Sequence, residues 1–276
     1  MTTKSEKELA FLEDLYVATD WGERFAELVD QHVKLPKKGT ALYLGSGTGG
    51  HALALQAKAG AELKFLCVDE SEESLELARA KAVAMNEHAE FKTAKPDSLS
   101  LEDAQFDLVL GNASMLAPTR LPGMLAEMTR VAKTGATVAC WLPTLSSFGE
   151  FFSIYWEALI NLGLSAYATE AEVLLTQLPT VSDLEAMAEC EGLVKVTSWT
   201  TIEEFDYESA QQFLNSPLIT DFLMRGWLRS LPDDTQTQVA QEIARIIDEE
   251  RHEAEFSLSV KATLVVGRKG ELPVAG

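Results

Sequence analysis

The chain has 276 residues, of which 46% are hydrophobic, enough to bury one substantial core without requiring a second independent domain. Asp and Glu number 43 against 23 Lys and Arg, so the formal net charge is −20. Proteins that bind nucleic acid place Lys and Arg along the phosphates, and the sequence has no basic cluster of that kind. The composition therefore argues against DNA or RNA as a partner.

The N-terminal residues predict a helix and no targeting signal. Residues 5 to 34 show the apolar spacing of an amphipathic helix. The first residues lack the apolar core of a signal peptide, and no run approaches the roughly 20 apolar residues of a membrane span. Cys67, Cys140 and Cys190 show no pairing or metal spacing and are expected to be buried thiols of a reducing compartment. These features predict a cytoplasmic protein without a membrane partner.

The segment ALYLGSGTGG at residues 41–50 is the most informative in the chain. A short apolar run ends in a glycine turn, and a helical segment follows, so backbone N–H groups can approach a ligand at the helix N-terminus. The spacing of Gly45, Gly47 and Gly50 also satisfies the pattern G-x-G-x-x-G, with Asp69 about 20 residues further on, where a ribose-binding carboxylate belongs. NAD and S-adenosylmethionine both remain possible ligands of such a turn.

Further along, predicted strands alternate with predicted helices. The second strand is expected to end in Asp69, and Ser71 is expected to be the N-cap of the helix behind it. Further elements are predicted at residues 90–99 (a strand running into a loop acid), 106–116 (a strand) and 121–143 (a helix, a turn at 133–135 and a strand). Strands that alternate with helices predict an α/β protein with a parallel, doubly wound sheet.

The order of these motifs resembles that of the class I S-adenosylmethionine-dependent methyltransferases, over residues 38 to 145. The matching pieces are LGSGTG, VDESEESLELAR, a loop acid before a strand that begins FDLV, and EMTRVAKTGATV. The family ends in an antiparallel strand pair, which residues 193–205 and 256–269 fit. The resemblance implies a Rossmann-like methyltransferase fold, with a doubly wound, mostly parallel seven-stranded sheet and helical cap insertions.

The resemblance also implies one methyltransferase domain over residues 1–276. Within it, residues 1–36 would form an N-terminal helical cap and residues 37–145 the cofactor-binding core. Residues 146–180 and 207–255 would be helical inserts over the substrate. We expect these inserts near the carboxyl ends of the strands, where open α/β sheets bind ligands.

The resemblance implies S-adenosylmethionine as cofactor and assigns residues to it. Asp69 is expected to accept hydrogen bonds from the ribose hydroxyls, Asp97 to contact the adenine amino group, and Asn112 to line the reaction cleft. The complete set of expected cofactor contacts is Tyr43, Gly45, Ser46, Gly47, Gly49, Asp69, Glu70, Asp97, Ser98 and Asn112.

Tyr43 departs from the family pattern. Family members usually have Asp or Glu at this position, where it binds the methionine ammonium. A phenol carries no charge at neutral pH, so about 1–2 kcal/mol of charge-assisted binding would be absent.

Aromatic side chains are the candidates for contact with a small-molecule substrate: Tyr16, Trp21, Phe148, Phe152, Tyr155 and Trp156. His51 follows the glycine turn, but a histidine on a helix face more often has no catalytic role than acts as a general base. The sequence identifies no catalytic base, and no metal is expected.

The activity implied is methyl transfer to a small molecule. Because the sulfonium is already an activated electrophile, the protein has to align the acceptor at about 3–3.5 Å and exclude water. Two alternatives stay open. One is an inactive relative that binds S-adenosylmethionine or acts as a scaffold; the other is an NAD(P)-linked oxidoreductase, which the glycine spacing permits but the FDLV strand and closing strand pair disfavour.

Overall fold

The computed structural model of the chain describes residues 4–250 and 256–271. Seven strands form one sheet in the order β3-β2-β1-β4-β5-β7-β6. The strands are β1 (Gly39–Leu44), β2 (Leu63–Asp69), β3 (Glu90–Thr93), β4 (Phe106–Asn112), β5 (Ala132–Pro143), β6 (Leu193–Tyr207) and β7 (Phe256–Lys269).

The strand pairs β1–β2, β1–β4, β2–β3 and β4–β5 are all parallel. In β1 and β4 the apolar residues from Ala41 and Leu108 onward are buried, because helices cover both faces of such a sheet. The predicted doubly wound, mostly parallel seven-stranded sheet is confirmed, and β6 and β7 are neighbours as expected.

Helix covers the N-terminal region almost as predicted. It consists of α1 (Glu6–Leu12), a π-helical segment (Glu13–Gly22) and α2 (Glu23–His32). Ser5 caps α1 through a capping box with Glu8. The sequence did not predict the π winding, which is rare and often marks functional sites.

Helices lie in most of the intervals between the strands. The helices between β1 and β6 are α3 (Gly50–Ala59), α4 (Glu72–Met85), α5 (Leu121–Val131), α6 (Gly149–Asn161), α7 (Ala168–Thr176) and α8 (Val181–Cys190). Between β6 and β7 lie α9 (Ala210–Asn215), a second π-helical segment (Leu218–Leu223), α10 (Met224–Trp227) and α11 (Asp233–Glu250). No helix in residues 4–250 and 256–271 combines the length and apolar character needed to cross a bilayer.

Two local expectations differ from the structure. The turn predicted at 133–135 lies inside β5, where Gly135 has a φ of +78° and the register with β4 shifts between Phe106 and Leu108. Cys190 is exposed rather than buried, because it ends α8, whereas Cys67 and Cys140 lie in inner strands and are buried.

The chain divides into two compact units. Residues 5–142, 180–200 and 263–271 form the sheet unit, and residues 143–179, 201–250 and 256–262, with Lys4, form the helical unit. The N-terminal helix, expected as a cap, therefore belongs to the sheet unit. The layout of one domain with capping inserts stays a prediction.

The helical unit has an aromatic core of its own. The ring of Phe151 lies 4.3 Å from that of Trp227, 5.8 Å from Tyr155 and 6.2 Å from Phe213, measured between centroids. The apolar stripe of α11 is also buried; its members are Val239, Ile243, Ile246 and Ile247.

Candidate active site

A pocket of about 440 Å³ lies in the sheet unit, between the glycine turn after β1 and the N-terminal helix. Asn112 and Trp141, paired residues at the carboxyl ends of β4 and β5, line it together with the start of α3. This is the edge at which open α/β sheets bind ligands.

The glycine turn brings backbone to the edge of the pocket. Gly45 and Gly47 have φ values of +65° and +51°, which favour glycine. A Cβ on Gly45 would collide with the carbonyl oxygen of Asn112, so β1 can pass the end of β4 only without a side chain there. The absence of side chains at these two glycines therefore lets the turn pack closely against Asn112 and Glu13 at the edge of the pocket.

Asp69 at the end of β2 fixes this turn. Its carboxylate accepts hydrogen bonds from the N–H of Gly47 at 2.8 Å and from the N–H of Ser71 at 3.0 Å. Burial raises the pKa of Asp69, and these backbone hydrogen bonds oppose the rise. Ser71 is the N-cap of α4, as predicted, with its side chain accepting from the N–H of Ser74. Asp69 therefore joins the glycine turn to the start of α4, and its contact with ribose stays a prediction.

Asp69→Ala is expected to lower the free energy of unfolding by about 1–3 kcal/mol, because two backbone N–H donors lose their acceptor. Asp69→Asn keeps one acceptor oxygen and should cost less. Denaturant unfolding of both variants measures the effect. Equal stability of Asp69→Ala and the wild type would show that water replaces the carboxylate without loss.

Glu13, from the π-helical segment, lies against the glycine turn. A Cβ on Gly47 would collide with Oε1 of Glu13, while Oε2 accepts a hydrogen bond from the Ser74 hydroxyl at 2.8 Å. Burial and the neighbouring charge of Asp69 raise the pKa of Glu13 to about 7, against the opposing effect of the Ser74 hydrogen bond. A large fraction of Glu13 is therefore protonated at neutral pH, which limits repulsion between the two carboxyl groups.

Asp14, the next residue of the π-helical segment, contacts Thr48 of the glycine turn and Lys81 of α4. It accepts a hydrogen bond from the Thr48 hydroxyl at 2.6 Å and forms an ion pair with Lys81 of α4. Lys81 also donates to the Thr48 hydroxyl at 3.2 Å. Both acids at the start of the π-helical segment thus contact the glycine turn or α4.

Tyr43, His51 and Trp141 form an aromatic wall of the pocket. The Tyr43 hydroxyl lies 2.9 Å from Nδ1 of His51, and the ring of Trp141 packs edge-on, 5.5 Å from that of Tyr43. Burial raises the pKa of Tyr43 well above its usual value and lowers the pKa of His51 to about 4. Both side chains are therefore neutral at neutral pH.

Two polar atoms of the pocket lack hydrogen-bond partners. In the described ranges, three buried side-chain polar atoms have none, and two of them, Oγ of Ser46 and Nε2 of His51, belong to residues that line the pocket. Buried polar atoms normally have partners, so such atoms are expected where a ligand or water completes the site. The same described residues contain no cluster of three or more His, Cys, Asp or Glu arranged to hold a metal ion.

The expected adenine contacts lie outside this pocket. Asp97 accepts a hydrogen bond from Nε of Arg120 at 2.9 Å, and Arg120 also forms an ion pair with Glu70. The Arg120 guanidinium lowers the pKa of Asp97. Ser98, beside it, is exposed. Arg120 thus joins two residues that the resemblance assigned to the cofactor.

The predicted residues fall into distinct groups. The cofactor residues that line the pocket are Tyr43, Gly45, Ser46, Gly47 and Asn112. Those that do not are Gly49, Asp69, Glu70, Asp97 and Ser98. Contact of all ten with cofactor stays a prediction.

The predicted substrate residues also divide. Trp21 lines the pocket, is buried, and donates to the Ser114 hydroxyl at 3.0 Å, whereas Tyr16 is 53% exposed and not part of the lining. Phe148, Phe152 and Tyr155 are buried in the helical unit, and Trp156 is 53% exposed there. Burial among other aromatic rings gives the first three a packing role, and contact of any of the four with substrate stays a prediction.

Sequence reasoning missed several residues of the site. Trp141 had a usable signal, because it follows the apolar run of β5 at the edge where Asn112 ends β4. No sequence signal indicated a functional role for Glu13, Asp14 or Lys81, because polar residues on a helix face usually face solvent. Arg120 stands in a 3₁₀ turn (Pro118–Arg120), where a single basic residue carries no pattern.

Comparisons with known proteins agree with this geometry. Residues 41–135 match the family described as methyltransferase domain. Demethylmenaquinone methyltransferase of Staphylococcus aureus is 31% identical in an alignment of 171 residues that covers 58% of this chain and 70% of that protein.

Solved structures share the fold. The YcgJ protein of Bacillus subtilis has a TM-score of 0.60 at 18% identity, over 91% of this chain and 100% of that one. Phosphoethanolamine N-methyltransferase 2 of Haemonchus contortus, solved with S-adenosylmethionine, has a TM-score of 0.52 at 14% identity, over 90% of this chain and 53% of that one. With its glycine turn, its parallel sheet and these relatives, the chain belongs to the class I S-adenosylmethionine-dependent methyltransferases, with S-adenosylmethionine as its cofactor.

Proposed function

We propose that the protein transfers the methyl group of S-adenosylmethionine to a small-molecule acceptor by in-line displacement. The pocket beside the glycine turn carries this proposal, because its volume of about 440 Å³ falls in the range of small-ligand sites and its wall is partly aromatic. A formal net charge of −20 disfavours polyanionic acceptors. The names of the relatives, which refer to demethylmenaquinone and phosphoethanolamine, support the small-molecule class without identifying the acceptor.

The pocket fits this cofactor. S-adenosylmethionine supplies a methyl group on a sulfonium and carries an ammonium and a carboxylate. The atoms without partners on Ser46 and His51 can form hydrogen bonds with it. Five acids line the pocket against one lysine, which suits a ligand with cationic groups: Glu13, Asp14, Glu23, Glu27 and Asp30, with Lys81.

The chain's residues have to orient the reactants and exclude water. Trp21 and Trp141 are almost completely buried and belong to the residues that line the pocket. We assign two roles to them: they limit the access of water, and they restrict the orientation of the acceptor. Alignment of the reactants supplies several kcal/mol of rate acceleration. No base is assigned. His51, with a pKa of about 4, is a weak proton acceptor at neutral pH.

Thermal unfolding with ligands tests the cofactor preference within this proposal. We expect S-adenosylhomocysteine to raise the Tm while NAD and NADP leave it unchanged, because a ligand that binds only the folded state stabilises it, by about 2.7 kcal/mol at one hundred times its Kd. Stabilisation by NAD instead would favour the oxidoreductase alternative.

Methyl transfer itself is tested by incubating the protein with S-adenosylmethionine and a panel of small amines, phenols and hydroquinones. Mass spectrometry then looks for a product heavier by one methyl group. If S-adenosylhomocysteine binds but no compound of the panel gains a methyl group, the inactive alternative is favoured.

A further inference from the structure

His51 lines the pocket and has one ring nitrogen without a hydrogen-bond partner. Its Nδ1 pairs with the Tyr43 hydroxyl at 2.9 Å, but Nε2 is buried without a hydrogen-bond partner. Burial lowers the pKa of His51 to about 4, so the ring is neutral and one nitrogen can carry a lone pair. Leaving such an atom buried and unpaired costs free energy, and a ligand that pairs with it recovers that cost.

Asp30 of α2 faces the same nitrogen. Its Oδ1 accepts from the Lys58 ammonium at 3.1 Å, while Oδ2 lies 3.9 Å from Nε2 of His51, too far for a direct hydrogen bond. Both residues line the pocket. A carboxylate oxygen and an imidazole nitrogen therefore lie close together without bonding to each other.

An ammonium group suits this pair of atoms. It has three N–H donors and a positive charge, so it can donate to a carboxylate and to a nitrogen lone pair at once. It selects the histidine tautomer in which Nδ1–H donates to the Tyr43 hydroxyl. Tyr43 itself is neutral and cannot supply the charge that an ammonium requires, whereas Asp30 can.

We infer that Asp30 and His51 together bind the α-ammonium group of S-adenosylmethionine, with Tyr43 positioning the imidazole. This inference rests on the proposed function, because it requires the cofactor to occupy this pocket. It places the charge that recognises the ammonium on the N-terminal helix rather than on β1. Cofactor affinity then depends on α2 being packed against the start of α3.

Truncated ligands test the inference by calorimetry. S-adenosylhomocysteine carries the ammonium and the carboxylate, S-adenosyl-3-thiopropylamine carries only the ammonium, and 5′-methylthioadenosine carries neither. Asp30→Asn is expected to weaken the first two by about tenfold, the loss of a charge-assisted hydrogen bond, and to leave the third unchanged. His51→Phe keeps a ring beside Trp141 but removes the nitrogen, and should give the same selectivity.

Asp20→Asn is the matched control. Asp20 lies on the π-helical segment, pairs with Arg24 and is not part of the pocket lining, so its loss removes the same charge without affecting the three affinities. Equal weakening of all three ligands by Asp30→Asn, or of none, would overturn the inference. Failure of all three ligands to bind the wild type would overturn the proposed function, and this site with it.

Discussion

Gly47→Val is expected to abolish binding of S-adenosylhomocysteine. A branched side chain at this position fills the space over the glycine turn and has to displace the Glu13 carboxyl group, which lies there already. The φ of +51° adds backbone strain of about 1–2 kcal/mol for any residue with a Cβ. Calorimetry at ligand concentrations up to the millimolar range measures the loss of binding, and denaturant unfolding measures the strain.

Gly60→Val separates strain from crowding. Gly60 has a φ of +79°, and a Cβ there would meet nothing within 4 Å. This control should lose at least as much stability through its backbone, because its ψ of −178° lies in a region that almost only glycine adopts, and should keep full affinity for the ligand. If Gly47→Val also kept full affinity, the glycine turn would not be the place where the cofactor approaches the backbone.

Glu13→Gln is expected to stabilise the protein at alkaline pH and not at acid pH. The pKa of Glu13 is about 7 in the folded protein and about 4.5 when unfolded, so the unfolded state loses its proton first as the pH rises. The stability contributed by the protonated carboxyl group is present below pH 4.5 and disappears as the pH passes 7. Glutamine stays neutral and avoids this loss.

The expected gain at pH 8.5 is about 2 kcal/mol, less than the full value of the pKa shift because solvent reaches part of the side chain. Denaturant unfolding of the variant and the wild type at pH 5, 7 and 8.5 gives the comparison. A difference that is the same at all three values would mean that Glu13 does not titrate abnormally, and that its contact with Ser74 alone matters.

Local patterns made the core of the fold predictable. The apolar run of β1, the glycine turn and the Ser71 cap each depend on residues within a few positions of one another. The parallel order of the strands followed from the alternation of strands with helices. The π-helical winding of Glu13–Gly22 could not be predicted from the sequence, because an apolar spacing of three or four residues fits α and π geometry alike.

The candidate site was only partly predictable, for a different reason. Gly45, Gly47 and Asn112 stand at strand ends, where the fold class itself indicates a ligand. The pairing of Glu13 with Ser74, and of Arg120 with Glu70 and Asp97, joins residues 23 to 61 positions apart. Such contacts depend on how helices pack, and a single sequence has no periodicity that reveals them.

The three cysteines differ sharply in access to solvent. Cys67 and Cys140 are buried in β2 and β5, and burial raises the pKa of each thiol to about 12, whereas Cys190 is exposed at the end of α8. Since the thiolate is the reactive form, a maleimide should modify the native protein at Cys190 and leave Cys67 and Cys140 unmodified. The mass of the labelled protein then reports unfolding, because a folded molecule carries one label and an unfolded molecule carries three. Because Cys67 stands two residues before Asp69, its labelling reports the opening of the strand that braces the glycine turn.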